Sequence, residues 1–273
     1  MPEISEVHLN TDLVLRKEIL RRTVVDINIL SGKYLKKKPL NFNKFKEDLP
    51  ALVTYIGNRG KFVWIKFNNG WYIGLGFGMT GRFSINPETK HHRIELILDN
   101  GQTVYYTDPR NFGNWNFWND KQNLDKKLSE LGVDILLEHD LTKEEVVSLF
   151  RQKNDWEITK SLMSQKILAG VGNYLKAEGL YEAKIYPYAK VSDLTDTRLY
   201  ILYKSLVRWA KYAYIVQAKN ANAIHEGSYQ DFRSKMNIYS KDTDPLGNTI
   251  TRSTNTKDGR TTHWVKEVQT IGK

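Results

Sequence analysis

The sequence predicts an α+β protein in two parts: a β-rich N-terminal half, and a helical C-terminal half that closes on a hairpin. Three observations carry this. Between about residues 23 and 118, short β-rich runs alternate with turn signals: VVDINIL, LVTYIG, KFVWIKF, WYIGLGF, RIELIL and TVYYTD. From about residue 123 onward the apolar residues change to helical spacing. The end of the chain returns to a β-like pair, NTITRSTN and RTTHWVKEV, about the turn Lys257-Asp258-Gly259.

Taken in order, Val7, Leu9, Leu13, Val14, Ile19 and Leu20 repeat at helical spacing and predict a first helix. The strands that follow are divided by Asn68-Asn69-Gly70 and Asp99-Asn100-Gly101, both hairpin chemistry, and several short strands at this spacing predict a sandwich or barrel. Thr142 and Glu145 have capping-box spacing ahead of VVSLF, and further helices are expected near 155–166, 173–182 and 195–217. The reading divides the chain into an N-terminal β-sandwich domain (1–122), a linker (123–140), a helical domain (141–232) and a terminal hairpin (233–273).

Bulk composition narrows the function. The chain has 273 residues, 40% of them hydrophobic, enough to build real cores. No apolar run of about 18 residues occurs, so a membrane-spanning or secreted protein is not expected and an intracellular one is. Cysteine is absent, which excludes disulfides, thiolate metal sites and a cysteine nucleophile. The net charge of +10 favours an anionic partner, with nucleic acid ahead of a membrane surface. Lys and Arg alternate with aromatics and glycines, and even KYLKKKPL at 33–40 is short, a pattern of a folded groove rather than a basic arm.

Three stretches carry candidate chemistry. QKILAGVGNYLKAEGLY at 165–181 places a Gly-x-Gly turn before a helix opened by Asn173; that exposes backbone N–H groups suited to phosphate, or makes a plain helix–helix turn. TDPRNFGNW at 107–115 puts Arg110 and Phe112 on a loop after a strand, for insertion into a nucleic-acid stack or for inward packing. MPEISEVH begins the chain with Pro2, Glu3 and Glu6, which at a terminus are usually frayed and idle.

Together these stretches resemble the formamidopyrimidine-DNA glycosylase / endonuclease VIII family of base-excision repair enzymes. The likeness runs from Pro2-Glu3 through Lys61 in NRGKFVWI, Arg110-Asn111-Phe112 and Gly170-Val171-Gly172-Asn173 to the terminal hairpin, five motifs in family order. It implies an N-terminal β-sandwich flanked by helices, a helix–two-turn–helix and a C-terminal finger. It also implies removal of Met1, so that the secondary amine of Pro2 attacks the deoxyribose, expels the damaged base through an iminium and primes β,δ-elimination. An α-amino group has a pKa near 8, below lysine, which leaves a useful unprotonated fraction. By the same resemblance Glu3 is the acid–base residue and Glu6 holds the site. Lys61, Asn173 and Arg260 grip phosphates, His91 contributes to DNA binding, and Met79, Arg110 and Phe112 fill the void left by base flipping. The implied partner is damaged DNA, met by a monomer that needs no cofactor.

The best-known family members end in a four-cysteine zinc finger, and this chain has no cysteine with which to build one. The hairpin with Gly259-Arg260 at its turn therefore resembles the family's zincless finger, with Ile250, Trp264 and Val265 packing in place of metal. The stretch GNYLKAEGLY resembles the endonuclease VIII branch, and HEGSYQDF at 225–232 leaves only a short link where guanine-directed relatives carry a longer loop. Oxidised pyrimidines and hydantoins are the expected substrates. Met79, Arg110 and Phe112 are shared with the guanine-directed branch and keep 8-oxoguanine open as the alternative. A non-catalytic damaged-DNA-binding protein is the further alternative, against which the presence of Pro2 and Glu3 argues.

Overall fold

The computed structural model describes residues 2–225 and 232–270, which form two compact units. The first unit holds the described residues of Met1–Glu130 and Tyr214–Gln230; the second holds those of Leu131–Ala213 and Asp231–Lys273.

The first unit opens with helix α1 (Ile4–Asn10), which runs on through a π-helical stretch, Thr11–Arg16, into α2 (Lys17–Ile19). Its apolar stripe is the predicted one: Val7, Leu9, Val14 and Ile19 are fully buried. There follow β1 (Thr23–Ile29), α3 (Lys33–Lys36), α4 (Phe42–Glu47), β2 (Ala51–Arg59), β3 (Phe62–Phe67), β4 (Tyr72–Gly76), β5 (Arg82–Ser84), β6 (His92–Leu98), β7 (Thr103–Thr107) and β8 (Asn114–Trp118). These eight strands form one antiparallel sheet in the order β5-β7-β6-β1-β2-β3-β4-β8.

The junction between β1 and β2 consists of two residue pairs, Thr23↔Leu52 and Val24↔Ala51. The sheet therefore consists of two four-stranded halves joined at a corner, and both halves contribute to one core. Ile94, Leu96 and Leu98 alternate inward from β6, while Val63, Ile65 and Phe67 do so from β3. Two strands escaped the sequence reading. RFS (β5) is three residues long. NWNFW (β8) interleaves asparagine with aromatics, of which Trp115 and Phe117 point inward at 4% and 1% exposure.

The segment expected to be a linker, 123–140, begins as structure. Helix α5 (Lys121–Ser129) starts where the Asp120 carboxylate accepts the Asn123 N–H at 2.9 Å, and Leu124 buries its apolar face. In the second unit β9 (Val133–Asp134) pairs in parallel with β10 (Leu168–Ala169). Helix α6 (Lys143–Arg151) has the expected box: Thr142 Oγ1 accepts from Glu145 N, and Glu145 Oε2 accepts from Thr142 N at 2.8 Å. Helix α7 spans only Ile158–Met163, shorter than predicted, because the Ile158 N–H is spent on the Ala189 carbonyl and Ser164 turns extended. Then come α8 (Asn173–Glu182), the long α9 (Asp196–Ala218), α10 (Ala221–His225) and the hairpin β11 (Thr251–Ser253) with β12 (Thr262–Trp264). The last residues of α9, from Tyr214, belong with α10 to the first unit.

Candidate active site and nucleic-acid interface

At the start of α1, Pro2 is buried, and Glu3 and Glu6 are 2% and 8% exposed. Glu6 explains why this terminus is not frayed. One of its oxygens accepts the Glu3 N–H at 2.8 Å and the other accepts the Gln217 side-chain amide at 2.7 Å. Three residues on, the Asn10 side chain pairs with Phe83 of β5 in both directions, each bond 2.8 Å, which fixes the helix against the sheet. The π-helical stretch is held from outside its own backbone. Asp12 accepts both from Arg16 and from the Tyr214 hydroxyl at 2.8 Å; burial, with the hydrogen bond to Asp12 second, pushes that phenol up to about 12. Single π-helical turns recur where a helix carries function.

Met79, Arg110 and Phe112 lie on two loops that touch. Gly78 sits at φ +63°, and a Cβ there would come within 2.7 Å of the Gly113 nitrogen and of the Phe112 carbonyl carbon, so only glycine lets the loops close. Asp108, 1% exposed, ties them together. Its carboxylate accepts from the Thr80 hydroxyl on one side and from the Gly113 N–H at 2.7 Å on the other. The Thr80 oxygen in turn accepts the Arg110 N–H at 3.0 Å. Arg93 donates to the carbonyls of Asp108 and Pro109 at 2.8 and 3.1 Å. On this braced base the Arg110 guanidinium stands 5.1 Å from the centre of the Phe112 ring, and Phe112 is 54% exposed. The inward-packing alternative for Phe112 is thereby set aside.

Lys61 occupies a separate turn, between β2 and β3, beside Gly60 at φ +57°. His91 is also left-handed, at φ +69°; its side chain is exposed, and its carbonyl receives the Asp108 N–H at 3.1 Å. The backbone of His91 thus supports the Arg110 loop.

In the second unit Asn173 opens α8, and its side-chain NH2 donates to the Thr261 carbonyl at 2.9 Å. That bond ties the helix start to the hairpin that carries Arg260. Gln165 shapes the preceding turn by accepting from Gly170 N at 2.8 Å and donating to the Val171 carbonyl at 3.1 Å.

The hairpin itself is clamped by charged residues of α8 that sequence reasoning gave no structural role. The Lys176 and Asp258 side chains are both fully buried and pair at 2.5 Å, and Lys176 also donates to the Thr262 hydroxyl at 2.8 Å. The second Asp258 oxygen accepts from the Thr256 hydroxyl at 2.7 Å. Glu178 accepts three backbone N–H groups, those of Asn237, Ile238 and Tyr239, each at 2.9 Å; its burial nonetheless pushes its carboxyl upward. Tyr181 donates to Asp244 at 3.0 Å. Ile250 and Val265 pack with Ala177 and Ile238, and Trp264 meets Tyr186 edge-on at 5.2 Å. Arg260 remains exposed at the turn. Among the described residues no cluster of three or more His, Asp or Glu could hold a metal.

This α+β fold, with its braced Arg–Phe loop and clamped hairpin, has counterparts among known DNA glycosylases. Residues 1–115 match the family model of the formamidopyrimidine-DNA glycosylase N-terminal domain. The formamidopyrimidine-DNA glycosylase of Proteus mirabilis is 30% identical over 76% of this chain and 74% of that protein. That of Yersinia enterocolitica is 33% identical over 54% of this chain, spanning only 55% of its own length. Lactococcus lactis Fpg, solved with DNA containing an oxidised pyrimidine, superposes with a TM-score of 0.83 at 22% identity, covering 98% of this chain and 99% of that one. Thermus thermophilus MutM gives 0.81 at 24% identity, covering 98% of each chain. These two likenesses establish the two-domain fold. The chain belongs to the formamidopyrimidine-DNA glycosylase family of base-excision repair enzymes.

Proposed function

We propose that the chain is a bifunctional DNA glycosylase/AP lyase that flips an oxidised base out of DNA, removes it through a Schiff base on Pro2 and cleaves the strand by β,δ-elimination. The observation that carries this is the buried Pro2-Glu3 start, held by Glu6 through the Glu3 N–H and Gln217. A nucleophile must be held in place, and a terminus with no task has no reason to bury two carboxylates. In this reading Glu3 serves the sugar as acid and base, and Glu6 positions it. Met79, Arg110 and Phe112 enter the stack; Lys61, Asn173, Arg260 and His91 hold the DNA. One N–H of the Asn173 amide ties the hairpin to the helix start, so Asn173 also positions the hairpin. Borohydride reduction in the presence of abasic-site DNA tests the reading: a covalent adduct is expected, and its absence would leave only a DNA-binding protein.

The hairpin is proposed as a zincless finger, its metal replaced by the Lys176, Glu178 and Tyr181 clamps. Chelators are accordingly expected to leave both melting temperature and excision unchanged; stoichiometric zinc in the purified protein would refute the assignment. Arg260→Ala is expected to lower the slope of log affinity against log salt by about one unit, the share of one phosphate contact. An unchanged slope would remove Arg260 from the interface.

For substrate, oxidised pyrimidines and hydantoins are proposed ahead of 8-oxoguanine, on the resemblance of GNYLKAEGLY to the endonuclease VIII branch. The companion argument from HEGSYQDF falls largely outside the described residues. The guanine-directed reading is favoured by the names of the relatives and by the Met79, Arg110 and Phe112 trio. Single-turnover excision of thymine glycol, 5-hydroxycytosine, a hydantoin and 8-oxoguanine decides between them. Removal of 8-oxoguanine as fast as the best of the others would assign the chain to the guanine-directed branch.

A further inference from the structure

We infer that the segment from Leu30 to Lys46 is an accessory phosphate-binding arch that grips the backbone of the DNA beside the extruded nucleotide; the inference rests on the glycosylase reading above. The segment has six lysines and no acidic residue, a local excess of +6 in a chain whose net charge is +10. A run of like charge without counter-charges repels itself unless an anion compensates it. Among the described residues only Lys46 of the six has one, Asp26 at 3.0 Å. Lys38 donates to a neutral acceptor, the Asn43 side chain, at 2.9 Å. The side chains of Lys36, Lys37 and Lys44 are exposed and make no hydrogen bond or ion pair among the described residues.

The arch is fastened at both ends. At its far end Phe42 and Phe45 are buried, their rings each 5.4 Å from that of Phe117, and the Asn41 amide donates to the Phe117 carbonyl at 3.2 Å. At its near end it is bolted to the Arg110–Phe112 loop. Lys33 donates to the Gly113 carbonyl at 2.7 Å, and the Tyr34 hydroxyl accepts the Trp115 N–H at 3.0 Å. Gly32 approaches so closely that a Cβ there would lie 2.7 Å from Asn111 Oδ1. Between these anchors the arch presents Lys36, Lys37 and Lys38, with Leu35 and Leu40 exposed at 62% and 84%.

A solvated charge run has no need of such anchoring. Fixing it to the loop that enters the stack places the lysines where backbone phosphates pass whenever that loop is engaged. Phosphate contacts of this kind hold register without reading sequence. Exposed leucines between lysines would also suit an anionic bilayer, and the experiment separates the two.

The variant Lys36→Ser/Lys37→Ser/Lys38→Ser changes only exposed side chains. Its slope of log affinity against log salt, measured on undamaged duplex and on duplex with an abasic-site analogue, is expected to fall by about two to three units on both, near 0.9 per lost contact. Affinity at about 0.1 M salt is expected to drop at least tenfold. A slope equal to that of the unsubstituted chain overturns the inference. So does an unchanged slope accompanied by lysine-dependent binding to phosphatidylserine vesicles, which would reassign the arch to membranes. Borohydride trapping by the unsubstituted chain is scored separately: its failure refutes the enzymatic reading, whereas an unchanged slope with trapping intact refutes only the arch.

Discussion

A chain whose Pro2 nitrogen is acylated, by a preceding residue that cannot be removed, is expected to yield no borohydride adduct and to lose excision by about a thousandfold or more. An amide nitrogen has given its lone pair to the carbonyl and cannot attack the sugar, while every other contact to DNA is left in place. The loss should therefore fall on the rate and not on affinity, and gel-shift binding measured alongside trapping checks that division. Trapping at the level of the free amine would place the nucleophile elsewhere. Glu3→Gln separates the steps further. Gln keeps the shape of the buried side chain at the head of α1 and removes its acid–base function. Base release from intact nucleotides should fall by about a hundredfold or more, the usual contribution of a positioned acid or base. Nicking of a preformed abasic site, which needs no base expelled, should fall much less.

Lys176→Met is expected to cost about 3–5 kcal/mol of stability, because it leaves the Asp258 carboxylate buried and uncompensated. Urea unfolding measures the loss. The double variant Lys176→Met/Asp258→Leu should recover part of it, since two apolar side chains leave no unpaired charge, and the coupling in that cycle isolates the pair. DNA binding should weaken in the single variant as well, because Asp258 shapes the turn on which Arg260 stands. A cost below about 1 kcal/mol would mean that water reaches the pair and that the hairpin is held by its apolar contacts alone.

Much of this was legible in the sequence because it is local. Helix α8 carries its start signal in Gly170-Val171-Gly172-Asn173, and the hairpin turns are spelled in Asn69-Gly70 and Asn100-Gly101. What stayed hidden depends on partners far along the chain. Asp108 is an ordinary residue of a DPR motif until Thr80, 28 positions earlier, is seen to share its carboxylate. Lys176 reads as a solvated charge until Asp258, 82 positions later, closes over it. The structure shows Lys176 and Glu178 amid a run, Tyr174–Leu180, that is buried throughout, where charged residues have no place without partners, and the sequence carries no sign of that burial. The continuity of the sheet was equally illegible, since it turns on two residue pairs at the β1–β2 corner. Helix α5 was missed because its sequence is mostly polar and a single capping aspartate and one buried leucine decide it.

The polar clamp on the hairpin also has a consequence for when the enzyme can work. A finger built on thiolates loses its metal once hydrogen peroxide converts those sulfurs to sulfenic acids or disulfides, and its grip fails during the insult that produces the lesions. Ammonium, carboxylate and hydroxyl groups have no such chemistry, and this chain has no thiol anywhere. The clamp on the hairpin therefore offers peroxide no sulfur to oxidise when oxidised bases are most abundant, and the thioether of half-buried Met79, proposed to enter the stack, is the point open to that chemistry.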